Sequence, residues 1–204
     1  MLHIMISVLA AIGLFGAFCS REKGCRGAMF AYYTNLSNLL AGFYSLSQCL
    51  TGGYDMPALH LAVVTDIALT MLIYAFVLSP EYRKKQREGK PIDTHRPDTY
   101  ILHYAVPLLC ILEWLLFPSG AALPLHTIPV VLVFPAIYCA FILLRAKKRG
   151  NLPGRHTPYP YAFMNLQKLG PARIAGNFTA VGALLLLLAA GFVWMQSFIS
   201  NFLF

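Results

Sequence analysis

Long apolar runs alternate with short polar pieces along the whole chain. Runs of about 20 apolar residues, enough to cross a bilayer as a helix, fall at 2–19, 28–50, 58–78, 99–117, 124–144 and 174–199. The pieces between them carry glycine, proline and charge, which interrupt helices. Three of these connections are TGGYDMP, FPSGAALP and SPEYRKKQREGKPIDTHRPD. The pattern predicts an all-α integral membrane protein: one domain, residues 1–204, folded as a bundle of six transmembrane helices.

Composition agrees. The chain is 58% hydrophobic and 12% charged, with a mean hydropathy of +0.62. A soluble domain carries about 25% charged residues, so this chain is read as a membrane protein with no room for a separate soluble domain.

Charge then orients the bundle. Lys and Arg, 16 in all, occur in only three places. Arg21, Lys23 and Arg26 lie in the first connection. Arg83, Lys84, Lys85, Arg87, Lys90 and Arg96 lie in the third. Arg145, Lys147, Lys148, Arg149, Arg155, Lys168 and Arg173 lie in or beside the fifth. The odd connections share one side of a six-span bundle, and the positive-inside rule makes that side cytoplasmic. Both termini are therefore expected to be non-cytoplasmic. The same rule explains the net charge of +8, together with attraction to anionic headgroups. Nucleic acid is not an expected partner, because the charges flank spans and no binding motif accompanies them.

Residues 2–19 lack the positive n-region of a cleaved signal, and their positive charges follow the apolar run, so they are read as a first span. The five cysteines, Cys19, Cys25, Cys49, Cys110 and Cys139, match no metal spacing and suggest free thiols. No internal repeat is visible. No His/Asp/Glu set has ligand spacing on one helix, so neither metal nor cofactor is implied.

Against this apolar background the stretch YYTNLSNLL, residues 32–40, stands out. On a helix Thr34, Asn38, Ala41, Ser45 and Gln48 share one face, with Ser37 beside Thr34. Such a face turns toward other helices or a cavity. Polar glue between helices is the plain explanation. A second cluster opens the fourth span, where His103, Pro107, Cys110 and Trp114 share a face. His103 and Thr34 both lie about 7–9 Å inside the cytoplasmic boundary, counted at 1.5 Å per residue, so they could meet. An intramembrane histidine is a functional candidate, although one bonded to a neighbouring helix would serve packing alone. His60 and His126 are at the wrong depth to join it. A third cluster, residues 156–178, carries Tyr159, Tyr161 and the breaking pair Gly170-Pro171, and is expected at the interface on the same side. Two carboxylates, Asp66 and Glu113, lie within spans and must be paired, protonated or open to a cavity. Asp66 could orient His103 or another partner, or be a protonated structural group.

The order of motifs is Thr34 on span two, His103 and Glu113 on span four, then Tyr161-Ala162-Phe163 and Gly170-Pro171-Ala172-Arg173 before span six. It resembles the androgen-induced and androgen-dependent TFPI-regulating membrane proteins and their six-span bacterial relatives, over about residues 28–185. The resemblance implies a threonine hydrolase of fatty acid esters of hydroxy fatty acids, with Thr34 as nucleophile and His103 as its base. Ala162 stands where the family has proline, and Asn165 where an acid is common. Asn35, Ser37, Asn38 or a tyrosine such as Tyr161 could supply donors to the oxyanion or bind substrate. Asp66 is included in the candidate site. The expected partners are a lipid or fatty acid ester and the membrane lipids, and a bacterial inner membrane is the expected location. The rival readings are a polar path for a proton or solute, lined by the span-two stripe, Asp66 and His103, and a non-catalytic scaffold.

Overall fold

A computed structural model describes residues 1–53, 56–89, 96–116 and 123–203, with side chains as far as Ser200. Lys90, Phe117 and the middles of the polar connections named above lie outside the described residues. Among the described residues the secondary structure is helical, with six long helices: α1 Leu2–Cys19, α2 Tyr33–Thr51, α3 Pro57–Arg87, α4 Pro97–Leu116, α5 Leu125–Arg149 and α6 Pro171–Leu203. Five of them, all but α2, are long and apolar enough to cross a membrane.

Two expected boundaries shift. The run expected to begin at residue 28 opens instead with a 3₁₀ segment, Lys23–Ala31, and α2 starts only at Tyr33. Gly24 and Gly27 weaken any longer α-helix there. Thr34 therefore sits in the first turn of its helix, not six residues inside it. Helix α3 runs on past residue 78 to Arg87, taking SPEYRKKQR with it. Glu81 and Lys85 pair across one turn of that extension.

Proline shapes two of these helices in the same way. A proline inside a helix loses its own hydrogen bond and clashes with the carbonyl four residues back. The chain answers by widening into a π-turn just ahead of it. Pro80 follows the π-turn Tyr74–Leu78, and Pro107 follows the π-turn Ile101–Ala105. The carbonyl that Pro107 displaces is that of His103. In α5, Pro129 lies in a 3₁₀ opening, Leu125–Leu132, before the regular helix Val133–Arg149.

Helix α3 is the centre of the bundle. Every residue from His60 to Thr70 is buried, and α3 packs against α2, α4, the Leu125–Leu132 part of α5, and α6. Helix α1 covers α2 and α4 through the stripe Ile6, Ala10, Gly13 and Ala17. Gly13 is small for a reason: a Cβ there would lie 2.7 Å from Leu102 Cδ2. Lipid tails compete equally for apolar faces, so packing and interhelical hydrogen bonds must hold such helices together. Trp114 Nε1 donates to the Phe192 carbonyl at 3.1 Å, joining α4 to α6. Tyr138 on α5 donates to the Ala31 carbonyl at 2.9 Å, just before α2.

Candidate functional site

The Thr34 hydroxyl lies 3.3 Å from His103 Nε2. The two helices carrying them reach this point for local reasons. Tyr32 is extended and accepts at its carbonyl the Asn35 and Leu36 amides, which starts α2 and fixes Thr34 in the opening turn. The π-turn ahead of Pro107 sets the direction of His103. Its Nδ1 lies 2.8 Å from the Thr99 carbonyl. A carbonyl only accepts, so in the neutral ring Nδ1 carries the hydrogen. Nε2 is then an acceptor aimed at the Thr34 hydroxyl. That is the tautomer a general base needs. Tyr74, from the other π-turn, lies over the imidazole with ring centres 4.0 Å apart. Two π-turns thus face each other across the site, and such distortions gather at functional positions.

The remaining polar residues of α2 divide into supports and lining. Asn38 is fully buried, at 0% exposure, and its amide nitrogen donates to the carbonyls of Thr34 at 2.8 Å and Leu102 at 2.9 Å. It ties the Thr34 carbonyl to that of Leu102, the residue before His103. Ser37 lies 3.1 Å from the Thr34 carbonyl and 2.9 Å from the Thr70 hydroxyl. Neither Ser37 nor Asn38 lines a cavity beside Thr34, and their hydrogens are engaged with these partners. Ser37 thus joins α2 to α3, and Asn38 joins α2 to α4. Asn35 donates to the Met29 carbonyl at 2.8 Å, fastening the 3₁₀ segment, while still lining the smaller cavity. Ser45 and Gln48 continue the buried stripe.

Tyr161 arrives from the connection between α5 and α6. That connection folds inward, burying Tyr159, Tyr161 and Met164. Tyr161 lines both cavities with Thr34, whose hydroxyl and backbone amide are turned toward the phenol oxygen as donors. Burial pushes its phenol up to about 12, and the Thr34 contacts pull only part of the way back. The phenol is thus a neutral donor at ordinary pH. The Thr34 amide, in the first turn of α2, has no carbonyl one turn back to bond. The phenol and that amide both lie beside the Thr34 hydroxyl.

Asp66 is placed differently from one expectation. It does not orient His103, whose Nδ1 is taken by Thr99. Its Oδ1 accepts from the Tyr33 hydroxyl at 2.6 Å, and its Oδ2 is buried without a partner. Asp66 therefore fixes the tyrosine next to Thr34 from beneath.

Two cavities meet at this point. The larger, about 760 Å³, runs between α3, α5 and α6 and is lined mostly by apolar side chains such as Leu69, Leu132, Leu143 and Phe178. The smaller, about 150 Å³, holds polar groups including Arg21, Asp98 and His103. Thr34 and Tyr161 line both. The hydroxyl stands on the boundary between an apolar hollow and a polar one.

Glu113 sits at the opposite end of the bundle. One carboxylate oxygen lies 2.5 Å from His60 Nε2, the other 3.4 Å from His3 Nε2. His60 was excluded from the Thr34 site on depth, and it belongs to this second cluster. His3 was not singled out, although its place near the start of α1 matches His60 near the start of α3. Among the described residues no set of three His, Cys, Asp or Glu side chains is arranged to hold a metal ion, and all five cysteines are free thiols. Thr99 and Tyr74, which orient His103, were also missed. Thr99 is one turn before the histidine, and that spacing is the signal that could have shown it.

Comparison of the chain with family models, curated proteins and solved structures found no match.

Proposed function

We propose that the protein is a membrane-embedded hydrolase of lipid-like esters, with Thr34 as nucleophile and His103 as general base. The observation that carries this reading is the 3.3 Å approach of the Thr34 hydroxyl to an imidazole nitrogen whose partner nitrogen is held by the Thr99 carbonyl. A threonine hydroxyl is a poor nucleophile until a base takes its proton. The 3.3 Å separation is slightly long for proton transfer, and such contacts tighten when substrate binds.

The reaction balances as an acyl transfer. The Thr34 oxygen bonds to the ester carbonyl carbon while its proton passes to His103 Nε2. The negative oxygen that forms takes hydrogen bonds from the Tyr161 phenol and the Thr34 amide. The C–O bond to the alcohol breaks, and His103 returns the proton to the departing oxygen. Water, deprotonated by His103, then attacks the acyl carbon; the bond to the Thr34 oxygen breaks, His103 returns the proton to that oxygen, and the acid leaves. The apolar hollow suits the acyl chain, and the polar hollow suits water and the alcohol portion.

In this reading α2 is the sixth span. Its 19 residues extend about 28 Å at 1.5 Å per residue, close to the thickness of a hydrocarbon core, and α1 and α3 flank its polar face. Both termini are then non-cytoplasmic, and a bacterial inner membrane suits the charge pattern. The resemblance to the androgen-induced family supports the same chemistry. A solute path is the less suitable reading, because the large cavity offers little but apolar surface.

Thr34→Ala and His103→Ala are each expected to abolish release of fatty acid from long-chain esters in detergent, with helix content unchanged. A fluorophosphonate probe should label Thr34 in the native protein. Turnover retained in either variant rejects the assignment.

A further inference from the structure

The larger cavity has a buried floor and an exposed rim. Tyr33, Thr34 and Leu185 form part of the floor. Ala136 and Ala140 of α5 and Thr179 and Ala183 of α6 line the same cavity, yet all four are exposed. Each pair is spaced four apart, so each presents one helix face. Helix α6 packs against the outer stretch of α5, Leu125–Leu132, but scarcely touches the inner stretch Val133–Arg149. The cavity therefore opens sideways, through a gap between two helices.

That gap faces hydrocarbon. Ala136 and Ala140 precede Arg145 by about 8–14 Å along the helix, and Thr179 and Ala183 follow Arg173 by about 9–15 Å, at 1.5 Å per residue. The two rims are thus at matching depth, inside the half-thickness of a bilayer core of about 15 Å. Neighbours of the rim on α5 are also apolar and exposed: Val133 at 54%, Ile137 at 63% and Leu144 at 58%. Small side chains along both edges leave the passage open.

We propose that this gap between α5 and α6 is the door through which the acyl chain of a membrane-dissolved ester slides from the cytoplasmic leaflet into the cavity. The ester portion of the statement rests on the hydrolase reading above; the route does not. The occupant is a single extended hydrocarbon chain, because a mostly apolar channel that ends at Thr34 and opens at hydrocarbon depth offers no compensation for a desolvated polar group.

Cys139 supplies a test that needs no turnover, since it lines the cavity and is half-buried. In a variant with Cys139 as its only thiol, reconstituted in liposomes, a long-chain N-alkylmaleimide should label Cys139 readily. A charged, water-soluble maleimide should label it slowly. Ala140→Trp or Ala183→Trp should slow the alkyl reagent, and Ile137→Trp, on the lipid side of α5, should not. If either tryptophan prevents folding, Ala140→Leu serves as the milder plug. Equal labelling by both reagents, or labelling indifferent to the plugs, overturns the route. A second arm compares long-chain with water-soluble short-chain esters. The plugs should depress only the long-chain reaction, and equal loss on both overturns the route. A wild-type protein that hydrolyses neither ester defeats the hydrolase reading, while the labelling result still decides the door.

Discussion

Asn38→Leu keeps the approximate size of the side chain and removes two hydrogen bonds, one within α2 and one that joins α2 to α4. These bonds reach the carbonyls of Thr34 and Leu102 at 2.8 and 2.9 Å. Hydrogen bonds of this kind in membrane proteins contribute about 0.6 kcal/mol on average and up to about 1.7, so losing two costs about 1–3 kcal/mol. At about 2–4 °C per kcal/mol for a chain of this size, the melting temperature should fall by roughly 2–12 °C. The catalytic cost should be larger in proportion. Asn38 joins the helix of Thr34 to the π-turn of His103, and under the proposed chemistry a slip of about 1 Å at reacting groups costs about a hundredfold in rate. The expected result is a kcat lowered about 10- to 100-fold, with KM little changed, because the apolar cavity is untouched. Thermal unfolding in detergent followed by tryptophan fluorescence measures the first effect, and fatty acid release across substrate concentrations measures the second. A lowered melting temperature with unaltered kcat would refute that link, leaving Asn38 as packing alone.

Gly13→Ala should destabilise the bundle by about 1–3 kcal/mol, the usual cost of overpacking, since its Cβ would press on Leu102 at 2.7 Å; a thermal melt matching wild type would show that Leu102 yields freely. Glu113→Gln should lower stability by about 3–5 kcal/mol, as removing one partner of a buried pair does, while the rate constant of the surviving folded protein stays near wild type, read by combining melts with active-site labelling. Tyr161→Phe should lower kcat about 10²–10³-fold if the phenol donates to the oxyanion, checked by steady-state kinetics. The sign of its pH dependence follows from a pKa raised from 10 to about 12: the neutral phenol's contribution is complete below pH 10 and is lost as pH rises through about 12. An alkaline limb near pH 8 or 9 must therefore belong to another group.

Sequence alone determined the helical class, five of the six apolar spans it led one to expect and the buried face of α2, because a span must satisfy its backbone internally and hide its polar side chains. Those requirements act within one helix and can be read along it. It also placed Thr34 and His103 at the same level of the bundle, close enough to meet, by counting residues from the charges. What only the tertiary structure decided was which polar groups touch. Asp66 went to Tyr33 and not to His103, because the rotation of α3 against α2 is set by packing that no single helix encodes. Glu113 found both His60 and His3, from helices far apart in the chain. Pro107 was visible, but that the chain answers it with a π-turn carrying His103 and packed against α1 is seen only in the fold. The lateral gap is likewise a property of the pair: α5 and α6 each look like ordinary spans, and only their divergence past Leu132 opens the cavity sideways.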